Sequence, residues 1–473
     1  MRKACGIGHP SSVIFKKNVL NTRLQKDYRN SFKFYSKSLS KGEIPFEGDL
    51  NLYPYFWGMK PLYDFSIRTF SKLAGISKGS NAKLEKLVDG RKDLFERLTA
   101  FKSGFSKPIA WFHVASLGEY EQAKPVIAEL KHRKPEYGIV VSFFSPSGYE
   151  IANRKAQENV DFITYLPFDT ATNAKNFLGI LDPKIGFFVK YDLWANHILE
   201  AKERHIPLFL FSASMREDQI YFKGYGTFFK KILTSFDHIF TQNTQTKILI
   251  EGLDFHQVSV AGDTRYDRVK SIAEAPKSFP EILPLVNGRK TMVVGSAWEE
   301  DMKVLIPFIN AHPEYFFIVA PHDINLETLA DWKSKIDRPS LKYSEISGQK
   351  NAEVLFIDNI GMLSSLYQFA NLAYVGGAFG KGLHNILEAI AYRIPVIFGE
   401  LKKEGKFPEA GISQEYGCGF SVSNTKQLEK TILYLSDQSH YLQACQAAEK
   451  LVTDNVGSAN KIMDTVITKI NQA

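Results

Sequence analysis

The sequence is short of cysteine: Cys5, Cys418 and Cys445 are its only three in 473 residues. An odd number so widely spaced builds neither a disulfide framework nor a CxxC metal knuckle, and it suits a reducing compartment. Long apolar runs are missing as well. No stretch approaches the roughly 18 uninterrupted apolar residues of a membrane-spanning helix, which excludes a polytopic membrane protein. There is no HExxH, no Asp-x-Asp, no GxGxxG and no GxxxxGK[ST], so the usual zinc-protease, metal-nucleotide, dinucleotide and P-loop signatures are all absent. A convincing signal-peptide core and cleavage site are absent too. Charge is not scarce: 23% charged and 44% apolar residues exclude a disordered chain. The length is too great for one ordinary core and predicts two domains.

The net charge of +8 is concentrated at one end. Residues 1–110 hold 21 Lys and Arg against 9 Asp and Glu, and the remainder holds 38 against 42. A nucleic-acid enzyme more often spreads basic residues along a folded groove, so no nucleic-acid partner is expected. A basic N-terminal block instead suits an anionic membrane surface. The plainer reading is a solvated tail. Residues 1–58 alternate Ser, Asn, Lys and scattered aromatics without sustained periodicity and are expected to be a poorly ordered extension. From Met59 the pattern is helical and amphipathic. Leu62, Tyr63, Phe65, Ile67, Phe70, Leu73 and Ile76 fall on one arc, with Asp64, Arg68, Ser71 and Lys72 opposite. Such a helix packs on the body of the protein or lies in a membrane interface. It opens a helical region over residues 59–107.

After residue 108 short apolar runs alternate with helical patterns. Trp111–Ala115, Ile139–Phe144, Ile185–Val189, Leu208–Phe211 and His238–Thr241 read as buried strands of one domain, 108–274. A linker, 275–284, leads to a second series over 285–473: Thr291–Val294, Phe316–Ala320, Val354–Ile357, Leu372–Val375 and Pro395–Phe398. The fold class is α/β, with two Rossmann-like, doubly wound parallel-sheet domains facing a cleft. Ligands of such folds bind at the carboxyl ends of the strands.

Glu119 stands in the first strand-end loop, Ser116-Leu117-Gly118-Glu119, as a candidate base or as an ordinary first-turn glutamate complementing a helix dipole. Ser145-Pro146-Ser147-Gly148 offers hydroxyls and N–H groups, or merely an N-cap. Lys190 and Asp192 put a cation and an anion at another strand end, and Arg265 of Gly262–Asp267 is placed to reach across the cleft toward a phosphate. Solvated surface charge is the plain alternative for both. The second half contributes Pro321-His322-Asp323, the loop Asp358–Leu363, and the glycine-rich block Gly376–Glu388. A strand, a glycine loop and a helix in that order present N–H groups to an anionic ligand, although tight packing alone also demands glycine. With no metal-binding signature beside it, a metal-free nucleotide ligand is expected.

In this order the loops resemble the 3-deoxy-D-manno-octulosonic acid (Kdo) transferases of lipopolysaccharide synthesis, inverting glycosyltransferases of the GT-B fold, family 30. The resemblance runs from about Met59 to the C-terminus. It rests on Ser-x-Gly-Glu at 116, Ser-Pro-Ser-Gly at 145, Tyr165–Asp169, Leu193-Trp194-x-Asn196, Gly262–Asp267, Pro321-His322, Gly361, Gly376–Glu388 and Pro395–Gly399. It implies transfer of Kdo from CMP-Kdo to a lipid A precursor, lipid IVA, at the cytoplasmic face of the inner membrane, held peripherally or by one N-terminal anchor. No cofactor or metal is implied, CMP-Kdo being the donor substrate. Glu119 would be the general base and Arg265 would stand where the family has a Lys that stabilises developing negative charge. Pro321, His322, Gly361, Met362, Leu363, Asn385, Ile386, Leu387 and Glu388 would bind CMP, with the phosphate at the Asn385 helix start and the ribose hydroxyls on Glu388. Two departures stand out. Lys190 replaces a family carboxylate, and the glycine loop is one residue shorter, resembling the version of Bacteroidetes-like bacteria. Residues 1–58 have no counterpart, which makes Met59 the expected natural start. Other GT-B enzymes using UDP-sugars, and non-catalytic lipid-binding relatives of the fold, share the architecture and are the alternatives.

Overall fold

A computed structural model describes residues 55–77, 82–346, 351–402 and 406–472, without the side chains of 55–58, 77 and 83. The expected extension before Tyr55 lies outside the described residues.

The apolar runs build two seven-stranded sheets, every neighbouring pair parallel. The first has the order β3-β2-β1-β4-β5-β6-β7. Its strands are β1 (Ile109–Val114), β2 (Gly138–Phe143), β3 (Phe162–Tyr165), β4 (Pro183–Val189), β5 (Leu208–Ala213), β6 (His238–Thr241) and β7 (Val258–Val260). The second has the order β10-β11-β9-β8-β12-β13-β14. It comprises β8 (Lys290–Ala297), β9 (Tyr315–Pro321), β10 (Ser340–Lys342), β11 (Val354–Phe356), β12 (Leu372–Val375), β13 (Val396–Gly399) and β14 (Gly419–Val422). In both sheets the order reverses beside the first strand of the half, which opens a crevice at the carboxyl ends.

Helices cover both faces of each sheet, so the central strands are apolar at nearly every position. The period of two still sorts them. Ile109 and Trp111 enter the core on one face, while Ala110, Phe112 and Val114 enter the core on the other. In the second sheet Val293, Phe316 and Ile318 face one way, and Met292, Val294 and Phe317 the other.

Two of the expected boundaries shift. Phe279 and Ile282, within the expected linker, are buried in the second core, so that stretch is packed rather than free. At the other end, the Ser458–Ile470 helix leaves the second half and returns to the first. There Ala459, Ile462, Met463 and Val466 complete a core with residues of β1, β2 and β4. Asp267 fixes the return by accepting from the N–H groups of Gly457 and Ala459 at 2.6 and 3.1 Å. The reach of the second domain to residue 473 is thereby corrected: the apolar stripe of this last helix matches the open face of the first sheet.

The amphipathic helix spans Tyr55–Ser77, starting four residues before the expected Met59. Its apolar arc is not one surface but two. Met59 and Tyr63 pack against the first core, and Phe70 meets Phe168 edge-on at 5.9 Å. Leu62, Phe65, Leu73 and Ile76 face outward, with Phe65 65% and Ile76 80% exposed. A polar seam locks the inner side. Tyr63 donates to buried Asp169 at 2.6 Å, Asn196 Nδ2 donates to Asp64 at 2.8 Å, and Lys60 bridges Asp64 and Asn196 at 3.0 and 3.1 Å. Asp169 also accepts from the N–H groups of Asn196 and His197 and from the His197 ring. Burial works to raise its pKa, but these donors outweigh it and hold the carboxyl below its ordinary value.

Candidate active site

Glu119 is the third residue of the Leu117–Arg133 helix, which follows β1 after a single turn. Ser116 caps that helix, its Oγ accepting from the Glu119 N–H at 3.4 Å. The Glu119 carboxylate turns back and accepts from the Ala115 N–H through Oε2 at 2.6 Å. Its second oxygen carries no hydrogen bond among the described residues and is open to solvent. The first-turn role and the candidate chemical role therefore fall on different oxygens of one side chain. Burial and then the neighbouring charge of Asp192 push the carboxyl up to about 7, against the pull of the Ala115 N–H and of Lys190. A carboxylate with one oxygen fixed, one oxygen open and a pKa near neutrality has the geometry and basicity of a general base.

The loop after β4 is built beside it. Lys190 sits in the left-handed region at φ 62° and donates its N–H to Phe211 O at 2.9 Å. Its ammonium has no ion-pair partner among the described residues. Asp192 accepts from the Trp194 indole N–H at 3.1 Å, and the same N–H lies 2.9 Å from His113 Nε2. The other ring nitrogen of His113 meets Ser142 Oγ at 3.0 Å. Burial lowers the His113 pKa despite Asp192, so the ring is neutral. Trp194 also stacks on Phe144 at 4.4 Å.

Arg265 does reach across to the second half, but its partner there is a carboxylate. Its guanidinium donates to Asp263 at 2.8 Å and to Glu409 Oε1 at 3.2 Å. Burial opposes its charge, yet Asp263 and Glu409 outweigh that and hold the pKa above its usual value. The phosphate contact expected from the sequence is replaced in this arrangement by Glu409, a residue of the Pro408–Tyr416 helix that sequence reading did not single out.

In the second half the expected nucleotide loops lie at the ends of β9, β11 and β12. Pro321 ends β9 and the His322 N–H donates to Ala297 O at 3.0 Å. Gly361 has φ 80° and its carbonyl accepts from Lys277 Nζ at 2.5 Å. Met362, Ile386 and Leu387 are buried core side chains, and Leu363 packs against the same core. The three buried ones, Met362, Ile386 and Leu387, present mainly backbone to a ligand, whereas Leu363 keeps part of its side chain exposed. Asn385 is not a free helix start: its Oδ1 accepts from the Leu387 N–H at 3.2 Å, and the helix itself is only Leu387–Ile390. Asn385 Nδ2 donates to Glu388 at 3.2 Å. Burial pushes Glu388 up to about 7, opposed by Asn385, with Glu121 and Arg268 of the first half as the next influences. Glu121 is itself clamped by Arg268 at 2.7 Å and Lys124 at 2.5 Å.

Two glycines of the block have a demonstrable steric reason. A side chain on Gly377, at φ 99°, would meet the His384 ring at 2.8 Å, and one on Gly376 would meet Ser296 O at 2.5 Å. Buried Asp301 ties this loop to β8, accepting from the N–H groups of Gly377 and Trp298 and from the Tyr374 hydroxyl. Trp298 and Asp301 also escaped the sequence reading. The available signal was position alone: Gly295-Ser296-Ala297-Trp298 is a strand end in the second half, at the same level as Pro321-His322.

Residues 92–268 match the family model described as 3-deoxy-D-manno-octulosonic-acid transferase (kdotransferase). The chain is 24% identical over 391 residues to the 3-deoxy-D-manno-octulosonic acid transferase of Rickettsia prowazekii, covering 79% of this chain and 82% of that one. It is 26% identical over 361 residues to the enzyme of the same description from Chlamydophila psittaci, covering 72% and 82%. Among solved structures, a putative UDP-N-acetylglucosamine 2-epimerase from Listeria monocytogenes superposes with a TM-score of 0.54 at 15% identity, over 78% of this chain and 98% of that one, and shares the fold. The order of the loops and these relatives make the chain similar to Kdo transferases, glycosyltransferases of lipopolysaccharide synthesis, and its two parallel sheets have the GT-B fold.

Proposed function

We propose that this protein transfers Kdo from CMP-Kdo to a sugar hydroxyl of a lipid A precursor, lipid IVA, with inversion at the anomeric carbon. The observation that carries the reading is Glu119, with one oxygen held by Ala115, the other open, and its pKa raised to about 7. In the reaction the open oxygen takes the proton of the acceptor hydroxyl as that oxygen forms its bond to the anomeric carbon. The bond from that carbon to the CMP phosphate oxygen breaks, and its electron pair leaves with CMP. Lys190, with its ammonium unpaired and its charge felt at Glu119, offsets the acidic groups of the Kdo carboxylate or the lipid phosphates. Arg265 serves the leaving group on release from Glu409, and Glu388 with Asn385 accepts from the ribose. No step assigned to these residues calls for a metal ion.

The acceptor is a lipid, and the outward face of the Tyr55–Ser77 helix suits an anionic bilayer. Leu62, Phe65, Leu73 and Ile76 are exposed together with Arg68 and Lys72. Among the described residues no helix is long and apolar enough to cross a membrane, so contact through this face is of the interfacial kind.

The test is product mass. Incubation of the protein with lipid IVA and CMP-Kdo generated in place should add the mass of whole Kdo residues to the lipid. E119Q should lose turnover by ~10²-fold or more while CMP affinity in calorimetry is kept. Binding of UDP in preference to CMP would assign the protein to a UDP-sugar reaction, and near-normal turnover of E119Q would remove Glu119 from the mechanism.

A further inference from the structure

Two tryptophan–histidine pairs occur at strand ends, one in each half. In the first, Trp194 Nε1 lies 2.9 Å from His113 Nε2, and His113 Nδ1 is consumed by Ser142. That imidazole has both nitrogens occupied and is buried. In the second, Trp298 Nε1 donates to His384 Nε2 at 3.0 Å. Here Nδ1 has no partner among the described residues and is open to solvent.

An indole N–H can only donate, so His384 Nε2 must accept and the proton of the neutral ring must sit on Nδ1. The surroundings hold that geometry. Trp298 stacks on His322 at 4.4 Å, His322 stacks on His384 at 4.3 Å, and Lys381 Nζ covers the Trp298 ring at 3.8 Å. The His384 N–H donates to Gly376 O at 3.2 Å, and Gly377 leaves room for the ring. Burial, followed by the neighbouring His322, lowers the His384 pKa to about 4, so the ring is neutral near pH 7. A neutral ring with one nitrogen committed has a single donor to offer.

We propose that Trp298 is a positioning residue that fixes His384 in the tautomer protonated at Nδ1, and that this N–H donates to a phosphate oxygen of the nucleotide donor. The inference rests on the nucleotide-sugar reading above and adds to it the atom that recognises the phosphate and the residue that aims it. The placement supports this. His384 directly precedes Asn385 in the block at the end of β12, and His322, against which it stacks, lies at the end of β9 beside Pro321.

The experiment compares CMP with cytidine by calorimetry, because only CMP carries the phosphate. Trp298→Phe keeps a ring for His322 and Lys381 but removes the N–H. It should weaken CMP by ~10-fold, which corresponds to about 1.4 kcal/mol, and leave cytidine unchanged. Nitrogen-15 spectra of histidine-labelled protein should show His384 moving from the Nδ1–H form toward a mixture of tautomers. His384→Asn places an amide donor near the Nδ1 position and should retain CMP affinity within a few-fold, whereas His384→Gln should not. On the His384→Asn background, Trp298→Phe should have no further effect, since the tautomer it controls is gone. Equal losses for CMP and cytidine in Trp298→Phe, or an unchanged tautomer, would overturn the proposal. Failure of the parent protein to bind CMP at all would instead remove the nucleotide reading on which it rests.

Discussion

Removing the charge of Glu119 should stabilise the fold at alkaline pH even as it lowers turnover. The carboxyl is held at about 7 against an ordinary 4.5, chiefly by burial and then by Asp192. Its folded pKa is raised, so as pH climbs the unfolded chain loses the proton first. The stability contributed by the protonated form is complete below 4.5, declines between 4.5 and about 7, and is absent above. At 1.36 kcal/mol per unit the decline amounts to roughly 3 kcal/mol. Gln does not titrate and escapes it. Urea unfolding of the parent and E119Q at matched ionic strength from about pH 4 to pH 8 should show the stability difference growing in favour of E119Q by roughly that amount. Asp192→Asn should shrink the growth, because Asp192 is the second cause of the shift, and Lys190→Met should enlarge it, because Lys190 works the other way. A difference that stays flat with pH would refute the raised pKa, and with it the reason for assigning a base at neutral pH.

Lys190→Glu should reduce activity, even though it restores the commoner residue of the family, and should move the acid limb of the pH–rate profile upward by adding a like charge beside Glu119. Equal or higher activity would remove Lys190 from the site. Replacing Leu62, Phe65, Leu73 and Ile76 together by Ser should release the protein from anionic liposomes in a flotation assay, since each side chain forfeits roughly 1.5 to 3 kcal/mol of apolar transfer. High salt should weaken parental binding by screening Arg68 and Lys72. Phe70→Ser should leave liposome binding largely intact and lower stability instead, as Phe70 packs on Phe168. Tyr63→Phe should cost about 1 to 3 kcal/mol in urea unfolding by taking one donor from buried Asp169.

The sequence revealed the centres of both sheets and hid their edges. All ten expected strands are present, and the four not anticipated are β3, β7, β10 and β14, which are the outermost strands of the two sheets. The reason is physical. A strand covered on both faces needs an apolar residue at nearly every position, as in Ile185–Val189, whereas Val258-Ser259-Val260 and Ser340-Leu341-Lys342 are short and carry no such run. The candidates Glu119 and His322 could be picked out because a special loop follows a buried strand at each. Their partners were not: Glu409 lies in sequence far from Arg265, and nothing local marks a glutamate as the far end of an interdomain ion pair. The helix from Tyr55 was legible as amphipathic, but periodicity does not tell an apolar side facing protein from one facing outward. Tyr63 and Phe70 against Leu62 and Phe65 are separated by the fold alone.

The return of the Ser458–Ile470 helix to the first sheet also orders events in time. Ala459, Ile462, Met463 and Val466 join the core containing β1, β2 and β4 only after the whole second half has been made. Until they emerge, Phe112, Ile139, Val141 and Phe187 have one side uncovered, through the whole synthesis of the second half. In that interval the first half carries an uncovered apolar face, the condition under which a nascent chain is prone to aggregate. Expression of residues 59–274 alone would prolong that state indefinitely, and supplying residues 457–472 as a separate peptide is the route by which such a fragment would regain solubility.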